Sequence, residues 1–546
     1  MGKICYNLSM KKLINLSLKL KELIIKNQFI LYLFIFFLAF FIYLWIQSTP
    51  TFLDPDSFYH LKMAKLISER GPIINFPWLQ FTVLKDYYID HHFLYHVLAI
   101  PFIKILVNFA GFKFYTVILA TLFIFLSYLF FKKENIRYPE VFALILLFSP
   151  ALMFRISLAK ATAFSLILLF LGIYFIFKRQ YWLLALISFL YVWSYGGFLL
   201  IFLMTLIFAL ANSLEKTFIN KAFWLKRIKN YVFYFIKNLF LLENLKIILA
   251  SFLGIVLGLV LNPYFPKNLK FYWQQLIEIG LINYRGLVNV GGEWYPYDIL
   301  NLIPDSGVAF IFTIVALILF IILFKKQKAQ SIFFFIATLL FFFLTLKSKR
   351  YVEYFIPFSV YFCTFTFGFL LAEIKLKDYI NKLRKEIPVF EILEKPLYTI
   401  FFVFILIMAK DAFITHQSFL GGIDFQNFAG ISKYLAENSK AGEIVMQTDW
   451  DDFPMLFYHN DKNYYIVGLD PTFMYNYDKN LYNLFADITM AKKSNNLYQE
   501  IKNNFHASYF IVDEDRLQLA KNLQNDGNFI KVYEDNDGSV YKLKKD

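Results

Sequence analysis

Two aspartates stand two residues apart in the stretch TFLDPDSFYHLK, which follows the first long apolar run of the chain. Asp54 precedes Pro55, whose fixed φ suits the first position of a helix, so Asp54 is predicted to cap that helix. Asp56 then falls in the first turn, where the helix dipole favours a negative charge. A carboxylate at this point can equally ligate a divalent cation or orient an acceptor group. The position alone leaves both interpretations of Asp56 open.

Two adjacent histidines follow in the stretch DHHFLYH, which begins at Asp90. His91 and His92 beside an acid are typical of metal ligands or of a proton shuttle. Neighbouring side chains on a helix point about 100° apart, however, so both rings rarely ligate one ion. The alternative is an interfacial loop with solvated imidazoles.

A glutamate stands behind two glycines in the stretch NVGGEWYPYD. Gly291 and Gly292 give the backbone freedom next to Glu293, and the aromatic residues that follow suit the headgroup level of a bilayer. The stretch therefore predicts either a catalytic carboxylate or a plain interfacial loop.

Three acids surround one tryptophan in the stretch QTDWDDFP, at the end of a predicted strand. Loops at strand ends of α/β scaffolds often carry binding residues, which makes Trp450, Asp451 and Asp452 candidates for contact with a substrate. A solvated surface turn is the competing interpretation.

The composition is that of a membrane protein. Of 546 residues, 59% are hydrophobic and 17% are charged, and the mean hydropathy is +0.52; a soluble domain is only about half apolar. The net charge of +15 comes from Lys and Arg in short blocks between apolar runs, as in cytoplasmic loops. Because these blocks form no continuous basic stripe, a nucleic-acid partner is not expected. The sequence contains two cysteines, Cys5 and Cys363, so a disulfide framework is not expected.

Long apolar runs divide the chain into spans and loops. Runs of near-spanning length begin near Phe29, Phe114, Val141, Thr162, Trp182, Phe198, Ile247, Val308, Ser331, Tyr354 and Leu397. Residues 93–111 contain Pro101 and Lys104 and could span or lie in the interface. Placing them in the interface makes five basic blocks cytoplasmic, as the positive-inside rule favours, and predicts about eleven spans.

This threading puts all the candidate residues on one side of the membrane. Residues 1–28 are predicted to be a cytoplasmic tail, and 29–410 a transmembrane domain with outer loops at 47–112 and 262–307. Residues 411–546 show strand patterns such as ASYFIVDEDRL between helical ones, which predicts an extracytoplasmic soluble α/β domain. With no organellar signal, a prokaryotic plasma (inner) membrane is the expected location.

Taken in order, these motifs resemble those of the catalytic subunits of oligosaccharyltransferases, membrane glycosyltransferases of the GT-C superfamily. The stretch DSFYHLK is similar to the first-loop motif with Asp56 as its acid, and EWYP is similar to a late-loop motif with Glu293. Arg350 in KSKRYVEYF corresponds to an arginine that holds the acceptor. The stretch WDDFP falls on the signature of the soluble domain, which implies acceptor binding by Trp450, Asp451 and Asp452, with Asp452 on a Ser or Thr hydroxyl.

The resemblance implies a polytopic α-helical membrane protein of the GT-C type with a C-terminal extracytoplasmic α/β domain. It implies transfer of a glycan from a polyprenyl-phosphate or pyrophosphate donor to a protein or glycan acceptor, with catalytic Asp56 and Glu293. A divalent cation, Mg²⁺ or Mn²⁺, would be held by Asp56, Glu293, His91 and His92. Donor, acceptor and lipid bilayer are the expected partners.

The chain departs from the family's pattern where a second acidic pair is expected. The stretch FRISLAKATAF carries Arg155 and Lys160 instead, and these two cations would repel a metal but attract a lipid phosphate. The site is therefore expected to hold its cation through the remaining ligands or to work without one.

Two other functions stay open. The altered tryptophan motif and the missing acidic pair favour a GT-C transferase that adds a single sugar to lipid, glycan or Ser/Thr. A transporter or a non-catalytic scaffold is less favoured, because the charged residues cluster in loops rather than within the spans.

Overall fold

The computed structural model describes residues 28–219, 228–282, 284, 286–373 and 390–544. The predicted cytoplasmic tail therefore lies outside the described residues, except for Gln28. The first part of the chain contains, in order, α1 (Gln28–Ile46), β1 (Thr51–Phe52), α2 (Asp56–Arg70), α3 (Leu84–Tyr87), α4 (Phe93–Ile105), α5 (Asn108–Lys133), α6 (Pro139–Leu147), α7 (Pro150–Ser157), α8 (Thr162–Lys178), α9 (Tyr181–Val192), α10 (Leu199–Leu214), α11 (Ile228–Leu239), α12 (Leu242–Val260), α13 (Lys267–Trp273), α14 (Ile299–Ser306), α15 (Val308–Ile322), α16 (Ala329–Lys347), α17 (Val352–Glu373) and α18 (Phe390–Leu420). Short 3₁₀ or π turns occupy Glu215–Ile219, Gln274–Ile282, Gly292–Trp294, Phe324–Lys326 and Lys349–Tyr351.

Every apolar run predicted from the sequence coincides with one of these helices or with a pair of them. Five of the described helices are long and apolar enough to cross a bilayer, and two bent pairs raise the number to seven. The pairs are α6 with α7, bent by 68°, and α14 with α15, bent by 100°. The helical membrane architecture is thus confirmed, whereas the count of about eleven spans is not.

Helix α4 is the segment whose placement the sequence left ambiguous. Its 13 residues rise about 20 Å, which is less than the hydrocarbon core of a bilayer. It packs closely on α5, where a Cβ at Gly111 would overlap the carbonyl of Phe102. Like α8 and α9, it is shorter than the helices that are long enough to cross a bilayer by themselves.

Helix α2, which carries Asp56, is largely buried. The sequence predicts an amphipathic helix in the plane of the membrane, but residues 57–64 are all buried. One reason is that the C-terminal sheet domain covers the helix: Phe58 packs edge-to-face against Tyr458. Gly71 ends the helix, with φ +73° and its amide donating to the carbonyl of Ile67 at 3.0 Å.

The C-terminal part contains a five-stranded sheet with helices around it. Helix α18 continues to Leu420, so this part begins ten residues after the predicted boundary at residue 411. It contains β2 (Ile423–Asp424), α19 (Ala429–Asn438), β3 (Ile444–Met446), α20 (Phe453–His459), β4 (Tyr464–Tyr465), α21 (Thr472–Tyr477), α22 (Lys479–Thr489), α23 (Leu497–Glu500), β5 (Tyr509–Asp513), α24 (Leu517–Asn525), β6 (Phe529–Asp535) and β7 (Gly538–Leu543). The strand order is β4-β3-β5-β7-β6, with β3 parallel to β4 and β5, and with β7 antiparallel to β5 and β6. The predicted α/β composition is correct.

Backbone pairing fixes this sheet domain to the first outer loop. Strand β1 pairs antiparallel with β2, in the register Thr51 with Asp424. A second pairing extends the sheet edge, because the amide of Tyr465 donates to the carbonyl of Trp78 at 2.7 Å. The indole of Trp78 also donates to the carbonyl of Asp461 at 2.8 Å. These contacts hold the C-terminal sheet domain against residues 51–52 and 78–79 of the helical part.

Candidate active site

A cavity of about 370 Å³ lies between the helical part of the chain and the C-terminal sheet domain. Its volume is at the lower end of the range for small-molecule sites. The charged, imidazole and indole groups that line it include Asp54, Asp56, His60, His91, His92, Arg155, Lys160, Glu293, Trp294, Arg350, Trp450, Asp451 and Asp470. Every site residue predicted from the sequence is among them except Asp452.

Lys160 joins the two aspartates of the first outer loop. Its Nζ lies 2.8 Å from Oδ2 of Asp54 and 2.7 Å from Oδ2 of Asp56. The other oxygen of Asp54 accepts the backbone amide of Asp56 at 3.0 Å, which confirms the predicted capping role. Asp54 therefore has two functions, of which the sequence indicated only the first.

Burial and charge act in opposite directions on the groups of this triad. Burial disfavours the ammonium of Lys160, but Asp54, Asp56 and Glu293 outweigh it and raise the pKa of Lys160. Burial raises the pKa of Asp56, and the attraction of Lys160 offsets only part of that increase. Lys160 consequently stays charged at neutral pH.

Glu293 is held between two guanidinium groups. Its Oε2 accepts from Nη1 of Arg155 at 2.9 Å, and its Oε1 accepts from Nη1 of Arg350 at 2.8 Å. Burial alone would raise the pKa of Glu293, but Arg350, Arg155 and Lys160 together lower it. The carboxylate is therefore ionised, and both of its oxygens are occupied.

Two residues that the sequence did not single out complete this network. Glu353 accepts from Nε and Nη2 of Arg155 at 3.0 and 2.6 Å. The hydroxyl of Tyr195 accepts from Nη2 of Arg350 at 3.1 Å and donates to Glu353 at 3.2 Å. Glu353 stands three residues after Arg350 in KSKRYVEYF. This closeness to a candidate arginine is the feature of the sequence from which Glu353 could have been predicted.

A buried chain of imidazoles runs beside the carboxylates. Nδ1 of His96 lies 2.7 Å from Oδ2 of Asp90, and its Nε2 lies 2.8 Å from Nδ1 of His60. Nδ1 of His92 lies 3.0 Å from the carbonyl of Ser194. Burial, followed by His96, lowers the pKa of His92 to about 3, so its ring is neutral at neutral pH. His60, which lines the cavity, is the member that the sequence did not reveal.

The residues predicted as metal ligands do not fit a metal site. Among the described residues, no group of three or more His, Cys, Asp or Glu side chains is arranged to hold a metal ion. Asp56 binds Lys160 instead, and Glu293 binds two arginines. The rings of His91 and His92 pack against each other in a tilted arrangement, with ring centroids 3.9 Å apart.

The tryptophan loop of the soluble domain contributes two of its three predicted residues. Trp450 lines the cavity and donates from its indole to the carbonyl of Asn289 at 3.2 Å. Asp451 also lines the cavity. Burial, followed by repulsion from Asp56, raises the pKa of Asp451 to about 8, so the group is protonated at neutral pH. Such a carboxylic acid can donate a hydrogen bond to a ligand.

Asp452 faces away from the cavity. Its carboxylate accepts the backbone amide of Asp449 at 2.8 Å and closes a capping box with it. The 3₁₀ turn of Trp450–Asp452 rotates successive side chains by a third of a turn, which separates Asp451 from Asp452. The contact with the acceptor that the resemblance assigned to Asp452 does not fit this position.

Fold and site together define a helical membrane protein in which a sheet-containing C-terminal domain closes a charged cavity. The apo oligosaccharyltransferase of Archaeoglobus fulgidus is similar, with a TM-score of 0.60 and 12% identity over 88% of this chain and 69% of that chain. The arabinofuranosyltransferase AftD from Mycobacteria is similar with a TM-score of 0.56 and 10% identity, over 94% of this chain and 40% of that one. No protein-family model matches the sequence, and no curated protein does.

Other structures of the archaeal enzyme hold ligands. One contains an inhibitory peptide and a dolichol-phosphate, one a tethered acceptor peptide with the NVT sequon, and one zinc and sulfate. At 12% to 13% identity, these likenesses establish the fold of the present chain. The predicted resemblance is confirmed at that level, and the chain is a divergent example of this fold.

Proposed function

We propose that the protein is a membrane glycosyltransferase, similar to oligosaccharyltransferases. It would move a glycan from a polyprenyl-phosphate or pyrophosphate donor to an acceptor outside the cytoplasm of a prokaryotic cell. The observation that carries the proposal is the cavity, in which the acids of the outer loops, three cations and the tryptophan loop of the soluble domain meet. These groups come from parts of the chain that are far apart in sequence, from Asp54 to Asp451.

The cations of the cavity are suited to the leaving group. When the bond between sugar and phosphate breaks, negative charge develops on the phosphate, and preorganised cations stabilise it. Lys160 and Arg155, as proposed from the sequence, would face the donor phosphate. Arg350 is the more exposed of the two arginines, with 25% of its side chain accessible against 11% for Arg155. It would contact the incoming acceptor.

Asp56 is the best candidate for the acceptor-facing base. Its side chain is 31% exposed, against 23% for Asp54, 25% for Glu293 and 0% for Glu353. The raised pKa of Asp56 also suits a group that takes a proton from the acceptor in the transition state. Glu293 would hold Arg155 and Arg350 at their spacing on the other side of the cavity.

The test is transfer activity in membranes supplied with lipid-linked glycan. Asp56→Asn and Glu293→Gln are expected to lower the initial rate by about 100-fold or more, because each removes a charge at the reacting centre. Asp298→Asn is the matched control, since Asp298 lies in the same outer loop as Glu293 but only caps α14. Wild-type rates in both Asp56→Asn and Glu293→Gln would refute the assignment.

The alternative acceptor class has a specific observation in its favour. Asp452, assigned by the resemblance to an acceptor hydroxyl, serves as a cap, and the protonated Asp451 takes its place at the cavity. This arrangement favours transfer of a single sugar to lipid, glycan or Ser/Thr over transfer to an Asn-x-Ser/Thr peptide. Mass spectrometry of the product distinguishes a single sugar from an oligosaccharide and identifies the linkage.

A further inference from the structure

We propose that Lys160 is the resident cation of the Asp54–Asp56 pair and replaces the divalent metal ion that the resemblance implies. Its ammonium lies within 2.8 Å of one oxygen of each carboxylate, where a bridging metal ion would otherwise neutralise both. One consequence is that transfer needs no metal ion, and this consequence rests on the proposed function. The other is that the wild-type protein binds divalent ions weakly at this pair, and it holds whatever the function is.

Lys160 is built into this position rather than reaching it from solvent. It lies in the short connection between α7 and α8, where its backbone amide donates to the carbonyl of Leu158 at 2.7 Å. Only 15% of its side chain is exposed. A buried ammonium needs a carboxylate partner, and two acids two residues apart supply a pair of them. The Asp54–Asp56 spacing is thus satisfied without an added ion.

The remaining acid of the predicted metal set is also occupied. Both oxygens of Glu293 accept from guanidinium groups. A divalent ion placed between Asp56 and Glu293 would have to displace Lys160 and would then adjoin Arg155 and Arg350. Like charges at such distances oppose binding in a site largely shielded from water.

The histidines do not restore a ligand set. His92 directs Nδ1 to the carbonyl of Ser194, and His60 directs Nδ1 to His96. His91 packs between the ring of His92 and that of Phe271, at centroid distances of 3.9 and 5.2 Å. These contacts leave at most isolated ring nitrogens, whereas a stable site needs several convergent ligands.

The test is Mn²⁺ binding by the purified full-length protein in detergent. Binding is measured as the decrease in the electron paramagnetic resonance signal of free Mn²⁺. Lys160→Gln frees both carboxylates, so we expect Mn²⁺ affinity at least about tenfold above wild type. Adding Asp56→Asn to this variant is expected to return the affinity to the wild-type value. Lys178→Gln is the matched control, because Lys178 pairs with a single acid, Glu134, at 2.7 Å, outside the cavity.

A wild-type Mn²⁺ affinity equal to or above that of Lys160→Gln would overturn the proposal. If Lys160→Gln gives no cooperative thermal transition, Lys160→Met, which keeps the length without the charge, is measured in its place. Transfer activity is expected to survive excess EDTA, and its loss there would also contradict the proposal. If no transfer is found under any condition, the proposed function fails, while the Mn²⁺ titration still decides the assignment of Lys160.

Discussion

Arg155 binds Glu353 through two of its nitrogens, with Nη2 at 2.6 Å and Nε at 3.0 Å from the same carboxylate oxygen. The side chain of Glu353 is 0% exposed, and it lies at the start of α17, across from the end of α7. The third nitrogen of Arg155, Nη1, donates to Glu293. Glu353 is therefore a positioning residue, since it acts on the cavity through the arginine.

Substitution of Glu353 is expected both to destabilise the protein and to disturb the cavity. Glu353→Ala leaves the guanidinium of Arg155 partly unpaired in a buried site, which costs about 3–5 kcal/mol. Glu353→Gln keeps an acceptor oxygen and is expected to lose less. Thermal unfolding in detergent measures the first effect, and kcat against KM for the donor measures the second. An Ala variant with wild-type unfolding and kinetics would contradict this role.

Asp451 and Asp452 are expected to differ although they are neighbours. Asp452→Ala removes a cap and is expected to lower stability by about 1 kcal/mol, with an unchanged KM for the acceptor. Asp451→Ala is expected to raise the KM for the acceptor with little loss of stability, because Asp451 faces the cavity. Thermal unfolding and acceptor titrations on the same two variants check this. The opposite pattern would restore the role that the resemblance gave to Asp452.

Asp451 also predicts how stability depends on pH. Its pKa is about 8 in the folded protein, against an ordinary value of 3.8. Between these values the folded state keeps a proton that the unfolded state releases, so this contribution to stability falls as the pH rises from about 4 to 8. Asp451→Asn cannot titrate and is expected to gain in melting temperature relative to wild type over that range. A difference that stays constant from pH 5 to 8.5 would show that Asp451 is not protonated.

The grouping of the candidate residues could be predicted from the sequence, because the basic blocks put all the loops that carry them on one predicted side of the membrane. The structure gathers Asp56, Glu293 and Arg350 in one cavity. Residue types also indicated that the cations of FRISLAKATAF would oppose a metal ion. The partner of each cation could not be predicted, because Lys160 meets residues more than 100 positions earlier in the chain.

The errors concern directions of side chains within correct segments. A one-residue step in a 3₁₀ turn decides whether Asp451 or Asp452 faces the cavity, and the pattern of residue types is the same for both. Helix α2 has the charge pattern of a surface helix, yet the soluble domain covers it. When a part of the chain that is distant in sequence buries a helix, the residue pattern of the helix itself does not show that burial.

The chain formed by Asp90, His96 and His60 supports a last prediction. Nδ1 of His96 lies 2.7 Å from Oδ2 of Asp90, and Nε2 of His96 lies 2.8 Å from Nδ1 of His60, so the three side chains form one continuous hydrogen-bonded chain. Burial, followed by His92 and His96, lowers the pKa of His60 well below its ordinary value, so the ring stays neutral. All three side chains are buried, at 1%, 0% and 4% exposure.

Asp90→Ala is expected to remove the carboxylate at the end of this hydrogen-bonded chain. It also removes the acceptor of the His92 amide, at 3.0 Å, so about 3 kcal/mol of stability should be lost. Asp86→Ala, an exposed acid four residues earlier in the same loop, is the matched control and should melt as wild type. Equal melting temperatures for the two variants would mean that the chain does not stabilise the loop. A lower melting temperature in Asp90→Ala alone would mean that the buried imidazoles stabilise the wall of the cavity. His60 and His92 both line that wall.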